Sequence, residues 1–163
     1  MSSSDRRLFL LLGLAVLAGC GFAPAYGPQG NGAALLGQIE VAAPDTRAAY
    51  LLTQELEGRL GRSSAARYAL VPVVTLRRQG VSIDRSNVTL RFNLLGQVDY
   101  TLRDLPTDTT VTQGTVENFT GYSTFGTPVA NQAAERDAEA RLMAMLADQL
   151  LTRLVATVGA PAQ

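Results

Sequence analysis

From Val88 to Arg103 the chain alternates with a period of two. Val88, Leu90, Phe92, Leu94, Val98, Tyr100 and Leu102 fall on even positions, with Thr89, Arg91, Asn93, Gln97, Asp99, Thr101 and Arg103 between them. Gly96 keeps the same phase. Successive side chains of a strand point to opposite faces, so the pattern predicts a long strand with one buried face and one wet face. A parallel strand covered on both sides would be apolar throughout, so the alternation points to an antiparallel sheet. The rest of the chain must supply pairing strands and a layer over the apolar face.

Those parts are legible on either side. Leu35 to Ala43 reads as a short strand ended by Pro44. Asp45 or Thr46 can cap a helix over Arg47 to Leu60, where Ala48, Leu51, Leu52, Leu56 and Leu60 recur at helical spacing and Gly61 supplies the stop. Ala66 to Arg78 reads as a strand. Pro72 cannot donate to a ladder, so this strand is expected at an edge or with a bulge there. Gln79 to Asn87 reads as a polar turn, and Asp104 to Asp108 as a second. Thr109 to Tyr122 is a partner strand whose apolar phase slips between Val111 and Val116, which predicts a bulge near Gly114. Gly121 to Asn131 reads as a loop. Ala133 to Val158 is a long helix, with Ala134, Ala138, Leu142, Leu146, Leu150 and Leu154 at every fourth position and Met145 beside them. Asp137 and Arg141 form an i,i+4 pair on its wet side. The expected fold class is α+β: a two-layer sandwich with two helices on one face of a mainly antiparallel four-stranded sheet, the other face being polar.

The first residues carry a different message. Arg6-Arg7 precedes an apolar run from Leu8 to Ala18, and Leu17-Ala18-Gly19-Cys20 follows the lipobox pattern. Eleven apolar residues are too few for a membrane span, which needs about 20. Residues 1–19 therefore read as a removable signal, with cleavage between Gly19 and Cys20. The general secretory route is the plainer one, although the two arginines partly fit a twin-arginine signal. This N-terminus resembles those of bacterial lipoproteins, in which such a cysteine carries a thioether-linked diacylglycerol and an N-acyl chain. More than one chain anchors stably, at about 0.8 kcal/mol per buried methylene. Gly21 follows the cysteine. An aspartate there favours inner-membrane retention in enterobacteria, so its absence leans towards the outer membrane. Residues 20–34, rich in Gly, Pro and Ala, read as a tether, residues 35–158 as one domain, and residues 159–163 as a frayed tail.

Composition removes most chemistries. The chain has no histidine, no tryptophan and one cysteine, so Ser-His, Cys-His and His/Cys metal sites are excluded, as is an internal disulfide. All 14 basic residues are arginine. Without residues 1–19 the net charge is −1, which offers no global attraction to nucleic acid. There is no Gly-x-Ser-x-Gly, no P-loop and no dinucleotide fingerprint. No catalytic residue, metal ligand or cofactor is expected beyond the acyl groups on Cys20.

Two segments carry a resemblance. Cys20-Gly21-Phe22-Ala23-Pro24-Ala25-Tyr26-Gly27 resembles the start of the lipopolysaccharide (LPS) assembly lipoproteins, the LptE-like family, of alphaproteobacteria. Gly121-Tyr122-Ser123-Thr124, then Ala133 to Ala138, Leu146 to Leu150 and Arg153-Leu154, resemble that family's closing helix. The resemblance implies a non-enzymatic outer-membrane lipoprotein with two partners, an LptD-type β-barrel that it plugs and helps to assemble, and lipopolysaccharide itself. The phosphates of lipid A would call for arginines. Arg77 and Arg78 at a strand end, Arg85 in the following turn and Arg91 on the wet face are the candidates, the plain alternative for each being a solvated surface arginine. Two other readings compete. One is an auxiliary lipoprotein of an ABC-type lipid transporter. The other is a carboxylate-dependent cell-wall enzyme, for which Glu40, Asp99 and Glu117 are the only strand carboxylates and would have to face one another in a cleft.

Overall fold

The computed structural model describes residues 35–83 and 89–158. The signal and tether segments, with Gly19 and Cys20, lie outside the described residues, as do the tail and Arg85. The elements run β1 (Ile39–Val41), α1 (Arg47–Leu60), β2 (Tyr68–Ile83), β3 (Thr89–Asp104), β4 (Thr109–Ser123) and α2 (Pro128–Val158). The sheet order is β1-β2-β3-β4, with β1 parallel to β2 and the other pairs antiparallel. Both helices pack on one face of it, α2 against β3, β4 and α1, and α1 against β1 and β2. This is the expected sandwich.

Local chemistry explains the ends of the elements. Thr46, not Asp45, caps α1, its Oγ1 accepting from the Ala49 N–H at 3.1 Å. Gly61, at φ +76°, ends the helix and its N–H reaches the Glu57 carbonyl. α2 starts five residues earlier than Ala133. Thr127 Oγ1 accepts from the Ala130 N–H at 3.3 Å, and Pro128 occupies the first helical position, where its missing N–H costs nothing. Asn131 fastens this turn by bonding Gly126 through both ends of its amide, at 3.1 and 3.3 Å.

Pro72 lies in no bulge. The β2–β3 register is unbroken from Tyr68 to Gly80. β1 pairs with β2 only as far as Leu70, through Tyr68 N–H to Gln38 O and Ala42 N–H to Leu70 O, each at 2.9 Å. Even-numbered β2 residues therefore turn their backbone groups towards β1. The next donor on that side would be residue 72, and proline has none. Pro72 stops the β1 ladder, and among the described residues β2 has no neighbour on that side from there on. β2 also runs five residues past Arg78, through much of the expected polar turn. The slip in β4 falls at Val111, not Gly114, because Leu102 pairs with Thr112 while Arg103 pairs with Thr110. Gly114 stays in register opposite Tyr100, and a Cβ there would lie 3.0 Å from the Tyr100 hydroxyl. Its lack of a side chain makes room for the ring.

The core is one cluster between the layers. Leu52 and Leu56 of α1, Leu70, Val98 and Leu102 of the sheet, and Ala138, Leu142, Leu146, Leu150 and Leu154 of α2 are fully buried. Met143, not Met145, is the fully buried methionine of α2. Gly96 sits under α2, where a Cβ would lie 2.8 Å from Leu146 Cδ1 and 3.0 Å from Leu142 Cδ2. The helix can approach the sheet this closely because position 96 has no side chain. Asp137 and Arg141 form the expected ion pair.

Leu35 and the start of β1 lie at the end of the sandwich that holds the last turn of α1, with Gly37 N–H bonded to the Leu60 carbonyl at 2.8 Å. The β3–β4 turn lies at the same end. There Asp104, nearly buried, accepts from Arg67 Nε at 3.1 Å and from the backbone N–H and hydroxyl of Thr107 at 3.2 Å each. Burial alone would raise the Asp104 carboxyl. The Thr107 N–H, the Arg67 guanidinium and the Thr107 hydroxyl outweigh it and hold the carboxyl below its ordinary value of 3.8. A carboxyl lowered in the folded state stabilises above its unfolded pKa, and that stability is lost as pH falls through the folded value. Asp104→Asn should therefore lower the melting temperature at pH 7. The gap to the parent chain should close as pH falls below about 3.8, read by thermal unfolding from pH 7 to pH 2.

Candidate functional site

The sheet face opposite the helices has no layer over it among the described residues. Odd positions of β2, β3 and β4 point there. It is not the uniformly polar face expected from the alternation. Val71, Val73, Val81 and Phe119 are between 42% and 59% exposed on it, and half-buried Leu95 sits between Arg77 and Phe119 in register. Polar residues separate these apolar ones, in rows such as Thr75–Gln97–Glu117 and Val73–Asp99–Thr115. A shallow depression of about 480 Å³ runs past Thr75, Arg77, Leu95, Gln97, Glu117 and Phe119.

Strand alternation sends the neighbouring arginines to opposite faces. Arg77 lies on the open face, opposite Leu95. Arg91 lies on the same face of β3, four residues further along, or about 13 Å. Both are exposed, and among the described residues neither takes part in an ion pair. Arg78 faces the helix side. Its guanidinium lies 5.0 Å from the centre of the Phe92 ring, which stacks on Tyr122 at 5.6 Å, and 3.5 Å from Glu135 of α2. The Tyr122 hydroxyl and then Glu135 strengthen the hold of Arg78 on its proton, while burial pushes the Tyr122 phenol up. The hydroxyl is buried without a hydrogen bond of ordinary geometry, so its contact with Arg78 is a longer, electrostatic one. The cluster joins the first turns of α2 to the sheet, and ligand binding is not needed to explain it. Arg77 and Arg91 are thus the two sequence candidates that the fold leaves on one accessible surface.

Glu40, Asp99 and Glu117 do not face one another. Asp99 accepts from Thr115 Oγ1 at 2.6 Å and from Gln97 Nε2 at 3.0 Å, so its oxygens are engaged on the open face. Glu117 lies one row away, opposite Gln97, and Glu40 lies on β1 beyond Ala69. Among the described residues no cleft holds these carboxylates as an opposed pair. Among the described residues no group of acidic, histidine or cysteine side chains could hold a metal ion, and no helix is long and apolar enough to cross a membrane. The surface can meet a mixed polar and apolar partner and offer to anions two guanidinium groups that have no ion pair among the described residues.

Sequence reasoning missed the Arg67–Asp104–Thr107 network, because Arg67 and Asp104 stand 37 residues apart and neither carries a local motif. It also missed the valines of the open face. Val71 and Val73 belong to an apolar stretch of β2, and only the one-sided placement of the helices exposes them.

The model of the LptE family, described as lipopolysaccharide-assembly, matches residues 36–154. A crystal structure of a protein from Caulobacter crescentus described as a lipoprotein is similar at 30% identity with a TM-score of 0.69, covering 81% of this chain and 98% of that one. Rare lipoprotein B from Shewanella oneidensis shares the fold at 15% identity and a TM-score of 0.57, over 74% of this chain and 93% of that one. A minor lipoprotein from Acinetobacter baumannii does so at 20% identity and a TM-score of 0.54, over 77% and 93%. No curated protein matches the chain. The family match covers all six elements of the fold, β1 to most of α2, and the chain belongs to the LptE family of lipopolysaccharide-assembly proteins.

Proposed function

We propose that this chain is the lipoprotein subunit of an outer-membrane LPS translocon. It sits in the lumen of an LptD-type β-barrel, assists the assembly of that barrel and contacts lipopolysaccharide during delivery to the cell surface. Cys20 carries the acyl chains that hold it on the periplasmic side. The observation that carries this reading is the open sheet face, where Arg77 and Arg91, without an ion pair among the described residues, stand among polar and apolar side chains. Such a face suits a barrel interior, which is polar and partly water-filled. Its arginines suit phosphates, which guanidinium groups bind through paired N–H donors.

Purification of the C-terminally tagged protein from its own outer membrane in mild detergent tests the reading. One large β-barrel partner at equal stoichiometry is the expected result. Recovery of the chain alone, or with ABC-transporter subunits, would reject it in favour of the transporter alternative. Two substitutions sharpen it. Cys20→Ala should leave the precursor uncleaved at this site and unlipidated, with the fold intact, as judged by mass spectrometry of the membrane fraction. Arg77→Glu with Arg91→Glu should weaken binding to purified lipopolysaccharide by about tenfold or more, since each charge-assisted bond contributes about 1.5–3 kcal/mol. Arg78→Glu, on the other face, should weaken it far less. Equal effects of the two changes would remove the open face as the ligand surface.

A further inference from the structure

Among the described residues β4 has a neighbour on one side only, so its other side is a free edge of the sheet. Proline, clustered charges and irregular register are the devices that keep such an edge from pairing with another chain. The stretch from Thr112 to Ser123 has none of them. It contains no proline and no basic residue, Glu117 is its one charge, and its register with β3 is unbroken.

The direction of its free backbone groups follows from the pairing. Odd-numbered β2 residues pair with odd-numbered β3 residues on the side away from β1. Even-numbered β3 residues therefore bond to even-numbered β4 residues, and odd-numbered β4 residues turn their N–H and C=O outwards. Gln113, Thr115, Glu117, Phe119 and Gly121 form this outward row, about 27 Å long at strand spacing. The Phe119 N–H donates to the side-chain oxygen of Asn118 at 2.8 Å and not to β3, as the outward direction requires. A groove of about 630 Å³ runs between the middle of this row and α2. Thr115, Val116 and Glu117 form one wall of it, and Gln149 and Arg153 stand on the other. Asp148 at its border is held by Arg59 at 2.9 Å. Arg153 is therefore the charge on the helix wall that has no ion pair among the described residues, as Glu117 is on the strand. An edge strand facing a helix across a trough is the arrangement in which an extended peptide adds to a sheet.

We infer that one extended segment of the barrel partner adds to the sheet along Gln113 to Gly121, with one row of its side chains lying in the groove against α2. The identity of that partner rests on the translocon reading. Regularly spaced N–H and C=O groups are met along their whole length by another extended backbone, and acyl chains have neither donor nor acceptor to offer. The wall strands of a barrel are already bonded to each other on both sides. The added strand therefore comes from a segment of the barrel chain that leaves the wall and enters the lumen. Its side-chain chemistry follows from the ladder, because residues opposite one another share a face. The residue opposite Glu117 lies on the open face and is basic. The residue opposite Phe119, which is 59% exposed in the single chain, is apolar. The residue opposite Val116 points into the groove and carries a carboxylate for Arg153. One segment fills the edge, so the pairing keeps one copy of this chain to each barrel.

Photo-crosslinking in outer membranes from cells expressing the full chain tests this. A benzophenone side chain is placed at Gln113, Thr115 or Glu117 in turn, and mass spectrometry of the tryptic peptides locates the linked residues. All three should link to one short segment of the barrel chain outside its wall strands, the point of attachment moving by about two residues at each step. That segment should contain an acidic residue. Thr115→Pro with Glu117→Pro should lower the yield from the probe at Gln113 by about tenfold, since two backbone hydrogen bonds are lost. Those prolines remove only outward-facing N–H groups, so β3–β4 pairing and cooperative thermal unfolding should persist. Thr115→Ala with Glu117→Ala keeps both N–H groups and should retain most of the yield. Links scattered over several wall strands, links to a second copy or to a different protein, a segment without an acidic residue, or equal yields from the proline and alanine variants would each overturn the proposal. Recovery of the barrel at equal stoichiometry without these links would overturn it alone and leave the translocon reading standing, whereas failure to recover a barrel would remove both.

Discussion

Leu146→Ala is expected to lower the unfolding free energy by about 2–5 kcal/mol, the range for deleting a buried leucine side chain. Leu146 is fully buried, and its Cδ1 rests over Gly96, in the seam between α2 and β3. The cost has two parts. The removed carbons lose their transfer free energy, and the cavity persists because a rigid strand and a long helix cannot close on it. Domains of this size are stable by only about 5–15 kcal/mol, so one substitution removes a large share. Urea unfolding should show a lower midpoint with an unchanged slope. A loss under about 1 kcal/mol would mean that α2 does not rest on β3 at this point.

Gly96→Val is the second large effect, and it acts through the same seam from the other side. A Cβ at position 96 already lies 2.8 Å from Leu146 Cδ1, 3.0 Å from Leu142 Cδ2 and 3.2 Å from Leu142 Cγ. Moving one leucine terminus would relieve the first contact, but the Cγ contact engages the branch point of a second side chain. Valine adds two further methyl groups to that space. Overpacking of this kind costs about 1–3 kcal/mol, occasionally more, although valine favours strand backbone. The two predictions are coupled. Gly96→Ala combined with Leu146→Ala should cost less than the sum of the single changes, because the new methyl group fills part of the vacated space. Simple additivity would show that the two positions do not share one cavity.

The long elements were legible because their periodicity reports burial directly. The β3 alternation named the buried set, and Leu142, Leu146, Leu150 and Leu154 on α2 named the stripe that covers it. Boundaries were less legible where two local signals competed. The polar character of Gln79 suggested a turn, but β-pairing with Asn93 keeps it in the strand. Thr127-Pro128 was a cap followed by a first helical residue, and reading the segment as a loop passed over it. The candidate site was legible as residue types and not as a surface. Arg77 and Arg78 read as a pair in sequence, yet strand geometry divides them, and the partner that shares a face with Arg77 is Arg91 on the next strand.

Leu35 enters the sandwich beside the last turn of α1, at the end that also holds Asp104 and the β3–β4 turn. Arg91 stands thirteen residues up β3 from Asp104, a rise of about 43 Å at strand spacing. The hydrocarbon core of a bilayer is about 30 Å thick. β3 is therefore longer than that core is thick. The strands hold Arg91 at a set separation from the end of the sandwich where Leu35 enters.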